Sequence, residues 1–212
     1  MIYGNHWKWP FVWANMPQHD AQGVTSMESK RELRARMRAL RESLDADTRS
    51  QADARVAQLV TSHPAYLRAE TVFTYVSVGT EVDTRAIIRD AWARGKAVAA
   101  PRVVPGTRTL EWYAITDFES LETSPFGVEE PVADPSHRVP VPGGEGAPAV
   151  ALVPGFTFDS QGYRVGYGGG FYDAFLPAFG GFKLGLCREA QMSAIPVPCD
   201  AHDVAVDEVI AG

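Results

Sequence analysis

The sequence predicts a single three-layer α/β/α domain with a mainly parallel (mixed) sheet, preceded by two N-terminal helices. Three observations carry this expectation. Two helix-period stretches open the regular part of the chain at Ser29. A β-α-β order follows, which implies a parallel strand pair with a right-handed crossover. Further strand-length apolar runs then recur to the C-terminus without an internal repeat.

The first helix is signalled by "SKRE", where Ser29 and Glu32 form a capping-box pattern. Leu33, Met37, Leu40 and Leu44 share one face. Lys30, Arg34, Arg38 and Arg41 recur at three- or four-residue spacing, and taken alone they read as a solvated charged face. A second helix is expected from about Asp47 to His63, buried along Ala52, Val56, Leu59 and Val60 and stopped by Pro64. "TVFTYVSV" (71–78) is β-branched and aromatic, a buried strand closed by Gly79. The helix in "VDTRAIIRDAWARG" has Asp83 or Thr84 as cap and Gly95 as stop. "KAVAAPRVV" and "TLEWYAI" are the next two strands. Between Ser124 and Pro148, six prolines and four glycines erase any period, so a long loop with room for a short hairpin is expected. "AVALVPG" (149–155), "FKLGLC" and Val204–Ile210 complete the strands, and "GGFYDAFLPAFG" supplies a helix. The arrangement is Rossmann-like.

The chain has 212 residues, is 45% hydrophobic and carries a net charge of −6. That supports one core and argues against a general nucleic-acid binder, which would more often be basic. Cys187 and Cys199 have no metal-ligand spacing, so inert thiols in a reducing, cytoplasmic compartment are expected. His63, His137 and His202 form no catalytic or metal spacing and read as surface residues. No apolar run reaches the ~20 residues that span a bilayer. Residues 1–28 hold three of the five tryptophans without a regular period. They read as a disordered or loosely docked extension, with Met27 an alternative start.

The run "RVGYGGGFYD" (164–173) concentrates chemistry. Gly166, Gly168, Gly169 and Gly170 let consecutive N–H groups converge, and Arg164 adds a cationic fork. No Gly-Lys-Ser/Thr follows, and Phe171 stands where a dinucleotide fingerprint needs its third small residue. On composition alone a phosphate cradle and a structural turn are equally supported. Asp173 suits Mg²⁺ or the first turn of a helix, with the latter stronger in isolation. Asp203, Asp207 and Glu208 are possible second carboxylates. Glu81 lies past the carboxyl end of a parallel strand, where such sheets bind ligands, although an exposed loop acid is the plainer reading.

Several blocks together settle more than any one of them. "VPGFTFDSQGYRVGYGGGFYD", "SKRELRARMRAL", "SVGTEVDT" with "IIRDAWARGKAVAAPRV", "FGVEEP" and "DVAVDEV" occur in order from Ser29 onward. In this the chain resembles the 5-formyltetrahydrofolate cyclo-ligase (5,10-methenyltetrahydrofolate synthetase) family. The resemblance implies ATP- and Mg²⁺-dependent closure of 5-formyltetrahydrofolate to 5,10-methenyltetrahydrofolate, with small-molecule substrates, no nucleic acid or membrane, and a monomer. It implies ATP contacts at Lys30, Arg34 and Arg164 through Val165, Gly166, Tyr167, Gly168, Gly169, Gly170, Phe171 and Tyr172. It implies substrate contacts at Val76, Glu81, Phe126 and Tyr167–Phe171, metal positions at Asp173 and Asp203, and catalytic roles for Arg164 and Tyr172. Some members carry lysine at Gly169 and tyrosine at Phe171. The missing lysine would shift phosphate work onto Arg164, Lys30 and Arg34. A folate or nucleotide sink without turnover, and a different ATP-using ligase or kinase, are the alternatives on the same residues.

Overall fold

The computed structural model describes residues 28–124 and 127–212. The 1–27 stretch and Phe126 lie outside the described residues. Helix α1 (Lys30–Ser43) starts at the expected capping box: the Ser29 hydroxyl accepts from the Glu32 N–H, and Glu32 accepts from the Ser29 N–H. Such a cap is worth about 1 kcal/mol. Leu33 and Met37 are buried as expected, but so is Arg41 at 2% exposure. The basic stripe is therefore not uniformly solvated: Lys30 and Arg34 are half-buried, and only Arg38 is exposed.

Helix α2 (Ala46–Ser62) is capped by Asp45 and buries Ala52, Val56 and Val60. Leu59, expected in that stripe, is exposed. Pro64 ends α2 and also begins α3 (Pro64–Arg68), because a fixed φ and a missing N–H suit a first helical turn. His63 sits between the two helices. Its Nδ1 accepts from the Ala65 N–H at 3.1 Å and its Nε2 lies 3.2 Å from Glu208. The expectation of a plain surface histidine is corrected: it is half-buried against Phe182.

Strands β1 (Thr71–Thr74), β2 (Ala97–Val103) and β3 (Leu110–Ala114) flank α4 (Arg85–Ala93). A hairpin of β4 (Leu121–Thr123) and β5 (Glu129–Pro131) lies in the proline-rich region, followed by a 3-10 turn at Pro135–His137. Then come β6 (Ala149–Pro154), a short ribbon of β7 (Thr157–Phe158) and β8 (Arg164–Val165), and α5 (Phe171–Phe175) with a 3-10 turn at Leu176–Ala178. Strand β9 (Phe182–Cys187), a 3-10 turn (Glu189–Gln191) and β10 (Glu208–Ala211) close the chain. The last strand is shorter and later than expected, because Val204 and Val206 pack beside the glycine ribbon instead.

The main sheet has the order β10-β9-β6-β1-β2-β3. All neighbours are parallel except β2–β3. All six residues of β6 are buried, as a central parallel strand requires. One face packs Val72, Val98, Val150, Leu152 and Leu184 with α2, α3 and α4. The other packs Phe73, Ala99, Ala151 and Val153 under Trp112, Phe158, Phe175 and Phe179. Each fully buried Val or Leu contributes about 1.5–3 kcal/mol. Chain order reverses between β1 and β6, its neighbour in the sheet. The carboxyl ends of these two strands therefore open at the topological switch, where open α/β sheets bind ligands.

Candidate active site

The loop after β1 carries Glu81, whose Oε2 accepts from the Val78 N–H at 2.9 Å. This loop is held from below by Arg188. The Arg188 guanidinium forks onto Asp53 of α2 at 2.8 and 2.9 Å, and donates to the carbonyls of Thr80 and Glu81 at 3.0 and 2.9 Å. A cavity of about 490 Å³ lies beside it, lined by Arg49, Asp53, Ser77, Glu81 and Arg85 among others. Val76 is buried in the core cluster.

The chain leaving β6 turns at Gly155 and Phe156 and meets α1. Arg41 donates to the Gly155 carbonyl and, at 2.7 Å, to the Tyr167 hydroxyl, while its guanidinium lies 4.6 Å from the Phe156 ring centre. Arg34 Nε donates to the Gly166 carbonyl at 2.7 Å. Its Nη groups make no hydrogen bond among the described residues. Arg38 lies over the Phe156 ring. Lys30 pairs with Asp200 at 2.6 Å and with Asp203. Lys30, Arg34 and Arg41 of the basic stripe thus face the glycine run and the C-terminal loop, and Arg38 lies over Phe156.

Two positions of the run require glycine. Gly168 and Gly170 have φ of +100° and +70°, a region that L side chains seldom occupy. An added Cβ at Gly169 would stand 2.5 Å from the Phe171 ring. Val165 is fully buried against Leu33 and Val197, so only its backbone faces the loop.

Arg164 is buried and donates to Asp173 at 2.8 Å and to the Val204 carbonyl at 2.6 Å. Burial lowers its pKa, against the nearby charge of Asp173. Lys30 is also committed. Burial works against its charge, but the hydrogen bonds to Asp200 and Asp203 win and hold its ammonium above the usual range. Of the three cations expected to take up phosphate work, two are paired with carboxylates, and among the described residues Arg34 has no carboxylate partner.

Three phenols converge at the switch. Burial first, and the charge of Glu81 second, raise the pKa of Tyr75, Tyr167 and Tyr172. The Tyr172 hydroxyl is buried and makes no hydrogen bond among the described residues. A buried hydroxyl without a partner costs about 1–3 kcal/mol, and Trp112 Nε1 and Arg41 Nε stand in the same condition among the described residues. With its pKa raised, the Tyr172 hydroxyl stays protonated and can serve as a donor. Cys187 is buried and free, its thiol pushed up to about 12 by burial, which fits an inert role.

Asp173 and Asp203 each keep one carboxylate oxygen outside the hydrogen bonds just described: Asp173 Oδ1 is taken by Arg164 and Val204, Asp203 Oδ2 by Lys30 and Asp200. Among the described residues no three His, Cys, Asp or Glu side chains form a metal cluster. Two single carboxylate oxygens fit an ion that takes most of its ligands from phosphate and water, as Mg²⁺ does.

Sequence reasoning missed Arg41 as an inward residue, although its i+8 spacing from Leu33 puts it on the buried face. Arg188 and Asp53 carried no signal, because 135 residues separate them.

Fold and site together define an α/β enzyme with a glycine-rich loop beside the sheet's switch point. The chain matches the 5-formyltetrahydrofolate cyclo-ligase family over residues 26–212 and belongs to it. The mouse 5-formyltetrahydrofolate cyclo-ligase is 27% identical over 196 residues, spanning 88% of this chain and 95% of that protein. The Haemophilus influenzae enzyme of the same name is 25% identical over 189 residues, 87% and 98% of the two chains. The solution structure of Aquifex aeolicus 5,10-methenyltetrahydrofolate synthetase superposes with a TM-score of 0.71 at 28% identity, covering 86% of this chain and 89% of that one. No helix among the described residues is long and apolar enough to cross a membrane.

Proposed function

We propose that this enzyme closes 5-formyltetrahydrofolate to 5,10-methenyltetrahydrofolate, using ATP and Mg²⁺ and releasing ADP and phosphate. The observation that carries the reading is the convergence of Arg34, the glycine run, Tyr172 and Glu81 at the β1–β6 switch. A polyphosphate and a neutral heterocycle need those two kinds of surface side by side.

The chemistry follows from the substrate. A formamide oxygen is a poor leaving group. It attacks the terminal phosphorus of ATP, and ADP departs. The formyl carbon, now an iminium phosphate, is attacked by the N10 lone pair, which closes the five-membered ring. The C–O bond breaks, phosphate leaves, and N10 gives up its proton. The product is the conjugated methenyl cation. Little covalent work falls to the protein, so positioning and charge stabilisation dominate.

The glycine run and the free Nη groups of Arg34 hold the phosphates. Arg164, fixed by Asp173, presents a fixed positive charge beside them. Glu81 accepts from heterocycle N–H donors, and Tyr172 donates from its protonated hydroxyl. Asp173 and Asp203 would hold Mg²⁺, which supplies charge neutralisation at the phosphates.

The test is an absorbance assay for the conjugated product with ATP, Mg²⁺ and 5-formyltetrahydrofolate. Omission of ATP should abolish the rise. No rise with all components present overturns the reading.

A further inference from the structure

A cation outside the expected site reaches the glycine run. Arg108 lies in the turn between β2 and β3. That turn is tied by hydrogen bonds from Val104 N–H to the Thr109 carbonyl at 3.1 Å and from Thr107 N–H to the Val104 carbonyl at 3.2 Å. The Thr107 hydroxyl adds a third to the Val104 carbonyl at 2.9 Å, and Gly106 takes φ +75°. The side chain projects from this braced turn onto Gly170. A Cβ built at Gly170 would meet Arg108 Cδ at 3.6 Å, Nη1 at 3.8 Å and Nε at 3.9 Å. A Cβ built at Gly168 would meet the Arg34 guanidinium at 3.5 Å. Two guanidinium groups from separate elements thus bracket the same three-glycine stretch.

Their states differ from those of the other cations. Lys30 and Arg164 are neutralised by carboxylates, and Arg41 is spent on Gly155 and Tyr167. Among the described residues Arg108 makes no hydrogen bond, and no carboxylate lies within salt-bridge distance of it; it is exposed. An uncompensated guanidinium held against glycine backbone is suited to an oxyanion that the same backbone cradles.

We propose that Arg108 is a phosphate-binding residue of this enzyme, closing on the nucleotide polyphosphate from the side opposite in sequence to Arg34. The inference rests on the ATP reading above. It assigns to the β2–β3 turn a share in nucleotide affinity and none in folate affinity.

Calorimetric titration of the full chain tests it, with ATP and 5-formyltetrahydrofolate as separate probes and Arg68→Ala as a control at an exposed arginine of α3. Loss of one charge-assisted contact should weaken ATP binding on the order of tenfold in Arg108→Ala. Binding of 5-formyltetrahydrofolate should match wild type, and Arg108→Lys should recover most of the ATP loss. ATP binding equal to that of Arg68→Ala overturns the inference and leaves the proposed function standing. An equal loss for both ligands also overturns it, because it marks general disruption. If the wild-type enzyme itself bound no ATP, the proposed function and the inference would fall together.

Discussion

Arg41 and Tyr167 are joined by a hydrogen bond of 2.7 Å, from a buried guanidinium on the first helix to a phenol in the glycine run. The same guanidinium donates to Gly155 at the end of β6. One side chain therefore ties α1, the central strand and the candidate nucleotide loop together. Arg41→Leu should leave the buried Gly155 carbonyl without its donor and release the half-exposed Tyr167 hydroxyl, at a cost of about 1–3 kcal/mol by urea unfolding. Tyr167→Phe, which keeps the ring on Phe156, should cost about 1 kcal/mol or less. Equal losses in the two variants would contradict this division.

Arg164 has a fork-shaped role, with Asp173 on one side and the Val204 carbonyl on the other. Arg164→Lys should fold but present a point charge without the fork. We expect kcat to fall on the order of 10²-fold, with a loss of stability of about 1–3 kcal/mol from the buried acceptor left without its donor. Steady-state kinetics with ATP varied would check it. Unchanged kcat would remove Arg164 from the catalytic assignment.

The Arg188–Asp53 pair braces the loop of Glu81, the side proposed to take folate. It carries the Thr80 and Glu81 carbonyls, so its loss should loosen Glu81 without touching the glycine run. Asp53→Ala leaves a buried guanidinium unpaired, at a cost of about 3–5 kcal/mol. The milder Asp53→Asn should raise KM for 5-formyltetrahydrofolate several-fold and leave KM for ATP in place. Parallel increases in both would refute the separation of the two sides.

The docking of α1 onto the C-terminal loop should depend on pH at both extremes. Burial works against the charge of Asp203, but Lys30 and the Asp200 N–H hold its pKa below the ordinary value. Its contribution is therefore present above the unfolded carboxylate range and is lost as pH falls through the lower folded value, below about pH 4. Lys30 is shifted the other way. Its contribution is complete below the unfolded lysine value and is lost as pH rises through the higher folded one, above about pH 10. Lys30→Met should reduce both limbs of a stability–pH profile, measured by thermal unfolding, while carboxylates held by other partners, such as Asp45 and Asp90, keep the rest of the acid limb. An acid limb unchanged from wild type would show that Asp203 is held by other groups.

Gly162 offers a test of the ribbon that carries Arg164. It has φ +81°, and an added Cβ would stand 2.4 Å from the Val206 carbonyl oxygen. Gly162→Ala should lose about 2 kcal/mol or more, because backbone strain and a backbone clash coincide. Denaturant unfolding would measure it.

Much of the fold was legible in residue order. The capping box at Ser29, the β-branched run at Thr71 and the apolar run at Ala149 each state their structure locally, through side chains within a few positions of one another. Where the reading failed, the cause lay at longer range. Pro64 was read as a stop, and it is also a start, because His63 and Ala65 form a second cap. Leu59 carries the helical period yet faces outward. The basic stripe of α1 looks solvated until the glycine run is folded against it.

By itself the sequence determined the alternation of helices and strands, the glycine run and the blocks shared with a folate enzyme family. These depend on local sterics and on periods of two and 3.6 residues, which short windows contain. Only the tertiary structure decided which cations remain free. Lys30 and Arg164 meet carboxylates 173 and 9 residues away, Arg41 turns inward, and Arg34 and Arg108 are left against the glycines. Charge pairing depends on distance in space, and that distance exists only once β1 and β6 lie side by side.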